Sequence, residues 1–414
     1  MAWRAEVGVE RVTVTAPNVS RLGAVPETAA NVAMPAPTTT SDVRDLVRAA
    51  VERRTPLRLV GRGTWLSAGR PVIAAESLHL AGLTGIVDYT PGDLTLTARA
   101  GTTLAEIAAA TAANGQWLAL EPWGGDTGTL GATVATGTAG PVAGSLGTPR
   151  DVVIGVEVVT GTGDVIRGGG RVVKNVAGFD LTRLTVGAWG TLGVITEVAV
   201  RLRALPERDV TVALRVPAGS TTLAELLTNL RAAPVAPLAL ELVSAAAART
   251  LSLGTSTVLL ARFAGNSELV DAQREALTTI TDVTDVSADV WNALRTIEPA
   301  DATVVRLSGP VARFTETWAA AERIAGAADG IAHASVLRSV ARVILPQQGS
   351  DLPDAAVAGL RDESRDTRIF ERLSAALWPV LAPSAVSDRL SRGVRSAFDP
   401  HRLLNPGILG EPAE

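Results

Sequence analysis

The pattern of hydrophobic and polar positions before about residue 206 differs from the pattern after it. Before it, short apolar runs such as Val152 to Val159 alternate with glycine-rich turns, a pattern typical of strands joined by tight turns. After residue 206, glycine is less frequent and apolar residues recur at helical spacing. The predicted helices there are 220–233, 268–280 and 288–297, and the predicted strands are 210–216, 258–263, 303–307 and 341–345. The change predicts a domain boundary near Pro206.

The N-terminal part begins with 35 weakly patterned residues, an arm or leader, and then with a strong helix signal. The cluster at residues 38–42 is a good N-cap for a helix over 43–53, and a strand at 56–60 follows. That strand enters a glycine-bearing loop, 61–69, whose backbone amides could surround an anion, although a plain turn has the same composition. The loop lacks the G-x-G-x-x-G spacing of a Rossmann fingerprint.

The remaining elements complete a mixed pattern. Strands are predicted at 86–89 and 94–98, and a helix at 104–113. Residues 370–397 are predicted to be helical and to end in DPHRLLNPG. Because a residue that precedes proline is pushed out of the helical region, Asp399 and Asn405 predict a return loop rather than a continued helix.

Composition narrows the possible chemistry. A chain of 414 residues that is 47% hydrophobic and 19% charged is long and apolar enough to fold into two or three domains. A net charge of -4, without a basic cluster, argues against nucleic-acid binding. The absence of cysteine excludes disulfides, thiolate metal sites and cysteine-ligated iron–sulfur clusters in this chain. Any electrons must therefore pass through an organic cofactor.

The sequence also indicates the cellular location of the protein. Charges at Arg4, Glu6, Glu10 and Arg11 interrupt the apolar core that a signal peptide needs, and no uncharged apolar run reaches the ~18 residues that span a bilayer. We therefore expect a cytoplasmic protein, with peripheral membrane association through a partner left open.

Five segments together resemble the PCMH-type FAD-binding fold of the vanillyl-alcohol-oxidase superfamily. They are 61–64 (GRGT), 100–101 (AG), 128–132 (GTLGA), 187–197 (GAWGTLGVITE) and 399–407 (DPHRLLNPG). The resemblance covers roughly residues 36–409. It implies an α+β protein with a FAD-binding domain of two α+β lobes at 36–206. A second α+β domain with an antiparallel sheet would occupy 207–397, and the loop 398–414 would return to the flavin.

The resemblance also implies a set of FAD contacts, mostly through the backbone. Amides in the first loop would bind the pyrophosphate, the second group would line the flavin and ribityl chain, and the third the adenosine side. The predicted residues are Gly61, Arg62, Gly63, Thr64 and Trp65; Gly128, Thr129, Gly131, Ala132 and Thr133; Gly193, Val194 and Ile195; and Asn405 in the returning tail. Arg62 and Ala132 stand where the superfamily usually has glycine. Neither cysteine nor histidine lies in the loop 61–69, so FAD should be bound non-covalently.

A narrower resemblance comes from GGGRVVKNVAGFDLTRL at 168–184. This block is similar to one in the FAD-binding E subunits of bacterial glycolate oxidase complexes. It implies a FAD-dependent oxidoreductase subunit acting on the CH–OH group of a 2-hydroxy acid. The implied partners are a catalytic flavoprotein subunit that oxidises glycolate to glyoxylate and an iron–sulfur subunit that receives the electrons. The two alternatives are a self-sufficient FAD-dependent alcohol or hydroxy-acid oxidoreductase and a flavin-free scaffold subunit.

Catalytic residues are less well indicated. Oxidation of a 2-hydroxy acid needs a base that accepts the hydroxyl proton and a cationic side chain or metal ion that binds the carboxylate. The three histidines are far apart in the sequence and form no metal-binding motif, so no metal site is predicted. The weak candidates are His333, Arg306 and Lys174: His333 for a position facing the flavin, Arg306 for the carboxylate, and Lys174 for contact with the cofactor or a partner. A buried structural role for His333 and a strand-edge salt bridge for Arg306 are the alternatives.

Overall fold

The computed structural model describes residues 32–170, 180–216, 220–346, 352–362, 366–382 and 384–411. The sheets form two groups, which follow one another along the chain. A five-stranded antiparallel sheet and two small sheets form before residue 205, and one eight-stranded antiparallel sheet forms after it. The α+β architecture predicted from the sequence is therefore confirmed.

Among the described residues, the first group contains ten strands and six α-helices. The strands are β1 Val32–Ala33, β2 Leu57–Val60, β3 Glu76–His79, β4 Ile86–Thr90, β5 Thr95–Arg99, β6 Gln116–Trp117, β7 Val153–Val159, β8 Val165–Gly169, β9 Val194–Arg201 and β10 Arg203–Ala204. The helices are α1 Thr40–Arg53, α2 Leu104–Ala112, α3 Leu130–Thr136, α4 Ala143–Leu146, α5 Pro149–Val152 and α6 Leu181–Thr185.

Local sequence accounts for the first helix. Thr39 caps α1 by accepting a hydrogen bond from the Asp42 amide, while the Asp42 carboxylate accepts one from the Thr39 amide. Val43, Val47 and Ala50 recur on one face and pack with Leu57 of β2 in a buried cluster. The small parallel sheet β1-β3-β2 is held in this way beside the larger sheet β4-β5-β9-β7-β8.

In the described part of the chain, the second group contains eight strands and eight α-helices. The strands are β11 Arg208–Arg215, β12 Ala239–Val243, β13 Val258–Gly265, β14 Val283–Val286, β15 Thr303–Ser308, β16 Ile331–Ser335, β17 Val340–Leu345 and β18 Thr367–Arg372. The helices are α7 Ser220–Ala232, α8 Ala245–Thr250, α9 Ser267–Thr278, α10 Asp289–Arg295, α11 Phe314–Gly326, α12 Asp354–Arg361, α13 Trp378–Leu381 and α14 Arg389–Phe398.

The large sheet has the strand order β14-β11-β13-β12-β16-β17-β15-β18. Successive side chains of a strand point to opposite faces, so each strand can contribute to two environments. One face carries residues such as Leu242, Ala334, Val343 and Leu307, which join the largest apolar cluster together with Trp318 of α11. The other face carries several charged residues and faces the N-terminal part of the chain.

Residues 370–397 do not form the single helix expected from the sequence. Residues 367–372 form the edge strand β18, which pairs with β15, and the helices α13 and α14 follow separately. Two features explain the difference. Thr367–Arg372 has an alternating pattern that an edge strand can use, and Pro379 has no amide hydrogen to continue a helix from the residues before it, so α13 begins there.

The predicted return loop is built around a buried carboxylate. Asp399, which is 0% exposed, accepts hydrogen bonds from the amides of Leu403 and Leu404 at 3.0 and 2.9 Å. Leu404 then lies parallel to Leu57 of β2, whose amide donates to the Leu403 carbonyl at 2.7 Å. The tail thus extends the small parallel sheet beside the loop at 61–69.

We propose that the domain boundary lies near Pro206, between β10 and β11, where the chain leaves one set of sheets for the other. The expected ranges 1–35, 36–206, 207–397 and 398–414 remain a proposal, and the N-terminal arm lies almost entirely outside the described residues.

Candidate functional site

A cleft opens between the small parallel sheet, α3, the loop at 187–195 and the returning tail. Its empty volume is about 900 Å³, including the part open to solvent. The lining residues are Arg58, Leu59, Val60, Gly61, Arg62, Gly63, Thr64, Trp65, Leu66, Ala68, Val72, Leu80, Ala100, Thr129, Gly131, Ala132, Ala135, Thr136, Trp189, Gly190, Gly193, Ile195, Asn405 and Ile408.

The loop at 61–69 presents a run of backbone amides. None of the amides of residues 61–67 donates to a backbone carbonyl among the residues that the structure describes. Gly63 has a φ of +77°, a conformation that glycine adopts without the steric cost paid by residues with a Cβ. Consecutive amides in such a turn can bind an anion such as a pyrophosphate.

Close packing explains why two positions in the cleft wall are glycine. A Cβ on Gly61 would lie 2.8 Å from Thr129 Oγ1, and a Cβ on Gly131 would lie 2.6 Å from the Cβ of Ala100. Both distances are below those found between real Cβ atoms and their neighbours. Gly61 therefore allows the chain after β2 to approach Thr129 at the start of α3, and Gly131 allows α3 to approach Ala100 at the end of β5.

The tail and a tryptophan pair close one side of the cleft. Asn405 accepts a hydrogen bond from the Leu59 amide at 2.7 Å through Oδ1, and its Nδ2 donates to the Trp189 carbonyl at 2.7 Å. The rings of Trp65 and Trp189 are nearly parallel, with centroids 6.2 Å apart and an interplanar angle of 9°. Asn405 therefore joins β2, just before the loop at 61–69, to the segment 187–197, although Asn405 and Leu59 are 346 positions apart in the chain.

The structure brings together most of the residues predicted to contact FAD. The ones in the cleft lining are Gly61, Arg62, Gly63, Thr64, Trp65, Thr129, Gly131, Ala132, Gly193, Ile195 and Asn405. Three others lie outside the lining. Gly128 lies next to Thr64, and the Thr133 hydroxyl donates a hydrogen bond to the Thr129 carbonyl. Val194 packs in the apolar core with α1. Sequence reasoning missed Trp189 and Gly190 as lining residues, although both belong to the GAWGTLG motif.

Two of the three weak catalytic candidates lie together in a second, smaller cavity, whereas Lys174 lies outside the described residues. This polar cavity has an empty volume of about 280 Å³ and is lined by Trp123, Ala139, Gly140, Glu241, Arg306, His333, Ser335, Arg338, Val340 and Arg342. His333, Arg342 and Arg306 are direct neighbours across the strands β16, β17 and β15. They share the face of the large sheet that points away from its apolar core.

Glu241 and His333 form a buried pair in the polar cavity. His333 Nδ1 lies 3.2 Å from Glu241 Oε2, and both side chains are 1% exposed. Burial raises the pKa of Glu241 to about 8, against the smaller opposing effects of Ser335 and the nearby arginines. Burial, helped by Arg342, lowers the pKa of His333 well below its ordinary value. Near neutral pH the pair therefore consists of a protonated carboxyl and a neutral imidazole.

Arg342 anchors the rest of the polar face. Its side chain is 2% exposed and pairs with Glu298 and with Glu371, whose Oε2 lies 3.0 Å from Arg342 Nε. A bulge between β15 and β18 lets the consecutive residues Glu371 and Arg372 join the same network. Arg306 also reaches Glu371, at 3.5 Å, so the strand-edge salt bridge considered for Arg306 is present.

The polar cavity and the cleft share stretches of chain. Thr136 lines the cleft, and Ala139 and Gly140, a few residues further on, line the polar cavity. The Gly69 amide, at the end of the cleft loop, donates to the Glu371 carbonyl at 2.8 Å. Sequence reasoning missed Glu241, Arg338 and Arg342. A single charged residue inside each of the apolar strands ALELV, TVVRLS, IAHAS and VARVIL was the available signal.

Replacing Glu241 by glutamine is expected to change how stability depends on pH. A free glutamate loses its proton near pH 4.5 and Glu241 near pH 8, so between these values the folded protein holds a proton that the unfolded chain has lost. The contribution of Glu241 to stability therefore falls as pH rises through this window and is constant above it. Urea unfolding at several pH values should show Glu241→Gln gaining on the parent by up to about 1.4 kcal/mol per pH unit.

The matched control for this prediction is Glu225→Gln, because Glu225 is exposed on α7. Its stability difference from the parent should stay flat between pH 5 and pH 9. An equally flat difference for Glu241→Gln would mean that the buried carboxyl titrates as it does in the unfolded chain.

Comparison with known proteins agrees with the site. A family model described as FAD binding domain matches residues 33–169. The chain is 43% identical over 170 residues to glycolate oxidase subunit GlcE of Escherichia coli (strain K12), a match that covers 41% of this chain and 48% of that protein. It is 33% identical over 207 residues to glycolate oxidase subunit GlcD of Bacillus subtilis (strain 168), covering 50% of this chain and 44% of that protein. The chain thus spans about half the length of the curated relatives it matches.

Solved structures share the fold over a longer stretch. Substrate-bound p-cresol methylhydroxylase matches with a TM-score of 0.71 at 15% identity, covering 91% of this chain and 88% of that one. The isoeugenol complex of 4-ethylphenol oxidase from Gulosibacter chungangensis matches with a TM-score of 0.69 at 16% identity, with the same coverage. At these identities the likeness concerns the fold alone.

Residues 33–169 therefore match a FAD-binding domain, and the fold of the chain resembles that of p-cresol methylhydroxylase and 4-ethylphenol oxidase, in agreement with the α+β architecture that the motifs implied. FAD is its cofactor. The described residues fit this group, because the amides of 61–67 face an open cleft whose glycines leave room for a ligand in contact with the backbone. The narrower resemblance, to a glycolate oxidase subunit, is also confirmed over 170 residues by the 43% identity to GlcE.

Proposed function

We propose that this chain is a FAD-binding component of an oxidoreductase that acts on the CH–OH group of a small 2-hydroxy acid, with glycolate as the first candidate. The observation that carries the proposal is the amide-lined cleft within a FAD-binding domain, joined by shared segments to a cavity lined by arginines. The similarity to two glycolate oxidase subunits, GlcE and GlcD, supports the substrate class. Non-covalent binding remains part of the proposal, because the loop at 61–69 offers no cysteine or histidine.

The cleft and the polar cavity would have different roles, the first in binding FAD and the second in binding the acid. Amides of Arg62, Gly63 and Thr64 would hold the FAD phosphates, and Asn405 would keep the cleft closed on the side of Trp189. When bound, FAD supplies the acceptor for the two electrons of an alcohol oxidation. The polar face of the large sheet would hold the acid and exclude water from it, because its charged groups are buried beneath Trp123.

The chain is proposed to work as one subunit among several. Its lack of cysteine means that an iron–sulfur cluster receiving electrons would be ligated by another chain, and a further flavoprotein subunit would share the oxidation. One observation favours the alternative of a self-sufficient enzyme: the neutral imidazole of His333, whose Nε2 has no hydrogen-bonding partner among the described residues, could accept a hydroxyl proton within this chain. Across the described residues no helix is both long and apolar enough to cross a bilayer.

Glycolate is expected to bleach the flavin absorbance of the FAD-loaded protein under anaerobic conditions. Acetate, which has no hydroxyl group, is the control and should leave the spectrum oxidised. Bleaching by the purified chain alone would favour the self-sufficient enzyme, and bleaching only after co-purification with partner chains would favour the multi-chain complex. An unchanged spectrum with glycolate in both preparations would refute the proposed substrate.

A further inference from the structure

An apolar pocket opens into the largest apolar cluster of the chain, on the face of the eight-stranded sheet opposite the polar cavity. A molecule the size of water can be centred in about 200 Å³ of this pocket. None of its lining residues lines the cleft or the polar cavity, so it is a separate site. The lining residues are Leu214, Leu227, Leu230, Arg231, Val235, Pro237, Leu240, Ala261, Phe263, Leu277, Val311, Val336 and Leu337.

The pocket runs from solvent down to the sheet. Its floor comes from the neighbouring strands β11 and β13, where Leu214 is 0% exposed and Ala261 and Phe263 are each 1% exposed. At its mouth, Val311 is 49% exposed and Arg231 is also exposed. A ligand that enters from solvent can therefore reach the apolar surface of the sheet.

The interior of the pocket is suited to a hydrocarbon group. Protein interiors contain few voids larger than a water molecule. A buried water needs two to four polar partners, whereas all but one of the lining side chains described here are apolar, so water is a poor occupant. An apolar cavity of ~150 Å³ is enough to bind benzene, and this pocket is larger. Transfer of a hydrocarbon group from water into it would be favourable.

A single cation lies at the mouth of the pocket. Arg231 is in the last turn of α7, and its side chain makes no hydrogen bond or ion pair with another described residue. The described lining includes no acidic residue that could neutralise it. Because a guanidinium group matches the geometry of a carboxylate, the mouth is complementary to a carboxylate head group. The pocket thus combines an apolar interior with one positive charge at its entrance.

We propose that the apolar pocket binds a free carboxylic acid with a single hydrocarbon chain of medium length, such as octanoate. The chain would pack against Leu214 and Phe263, and the carboxylate would meet Arg231. A neutral hydrocarbon would leave Arg231 unused, and a two-carbon acid such as glycolate would leave the interior unfilled. The proposal does not rest on the proposed function, because the pocket shares no lining residue with the cleft.

Calorimetric titration of the FAD-loaded protein with octanoate should show one site. Affinity should rise about threefold to fourfold for each CH₂ group from hexanoate to octanoate, because each group buries further apolar surface. Arg231→Gln should weaken octanoate binding about threefold to fivefold, the loss typical of an exposed ion pair. Arg249→Gln is the matched control, because Arg249 is exposed on α8 and lies outside the pocket; its affinity should equal that of the parent.

A second variant and a second ligand test the shape and charge of the pocket. Ala261→Leu should abolish octanoate binding while the protein keeps its fold and its FAD, because leucine would occupy the floor of the pocket. Octylamine, which has the same chain length and a cationic head group at pH 7, should bind about tenfold more weakly than octanoate, because Arg231 repels it.

Three results would overturn the proposal. The first is a parent protein that does not bind octanoate, or that binds it no more tightly than Ala261→Leu does. The second is octylamine binding as tight as that of octanoate, which would mean that the pocket accepts any hydrocarbon chain. The third is a parent protein that elutes as a dimer when Ala261→Leu elutes as a monomer, which would assign the pocket to a second copy of the chain.

Discussion

Replacing Gly63 by tryptophan is expected to yield a folded protein that no longer retains FAD. Gly63 has a φ of +77° and lies in the middle of the amide run that lines the cleft. A side chain there costs roughly 1–2 kcal/mol in backbone strain, and an indole would occupy the space in front of the amides. Loss of these contacts should reduce the FAD content of the purified protein more than tenfold, a drop that corresponds to more than about 1.4 kcal/mol.

The measurement is the ratio of flavin to protein absorbance after gel filtration, together with circular dichroism to check the fold. Gly92→Trp is the matched control, because Gly92 lies in the turn Pro91–Asp93 and a Cβ there meets nothing within 4 Å. That variant should keep its flavin. A folded Gly63→Trp protein with full FAD content would show that the loop at 61–69 does not bind the cofactor.

Replacing Arg342 by methionine is expected to cost about 3–5 kcal/mol of folding stability. Methionine has a similar length but no charge, so Glu298 and Glu371 would lose the buried cation between them. The remaining partners, Arg372 and Arg306, lie 3.5 Å from these carboxylates and can compensate only in part. Removing one member of a buried ion network leaves uncompensated charge in a region of low dielectric constant, and this accounts for the large penalty.

Urea unfolding of the parent and of Arg342→Met gives the free-energy difference directly. Arg274→Met serves as the control, because Arg274 pairs with Asp285 at 2.7 Å on the surface, where such pairs contribute less than about 1 kcal/mol. Adding Glu371→Gln to Arg342→Met should recover part of the lost stability, since it removes one of the two unpaired carboxylates. A cost for Arg342→Met no larger than that of Arg274→Met would mean that the polar network is open to water.

The cleft could be predicted from the sequence because its chemistry is mainly that of the backbone. Glycines at 61, 63, 131 and 193 are required by close approach or by positive φ, and such requirements are visible in the sequence as glycine itself. Capping signals also place α1 closely: they predict a start at residue 43, and the helix begins at Thr40, with Thr39 as the cap. The prediction of a continuous helix over 370–397 is wrong because the pairing of β18 with β15 is a tertiary interaction.

The polar cavity could be predicted only in fragments. His333 and Arg306 stand out as single candidates, but nothing in their local sequence shows that they flank Arg342, because strand register decides which residues become neighbours. Glu241 was missed for the same reason: it is 92 positions from His333 in the chain, and only the pairing of β12 with β16 brings the two side chains to 3.2 Å.

The sequence by itself determined the α+β class, the glycine-lined cleft and the return of the tail, because glycines, helix caps and proline-limited turns act over a few residues. Only the tertiary structure decided which charged side chains share a cavity and which of them are buried. Burial depends on every layer that packs over the sheet, and it sets the protonation of Glu241. The backbone chemistry of this protein is therefore local, whereas its side-chain chemistry is a property of the whole fold.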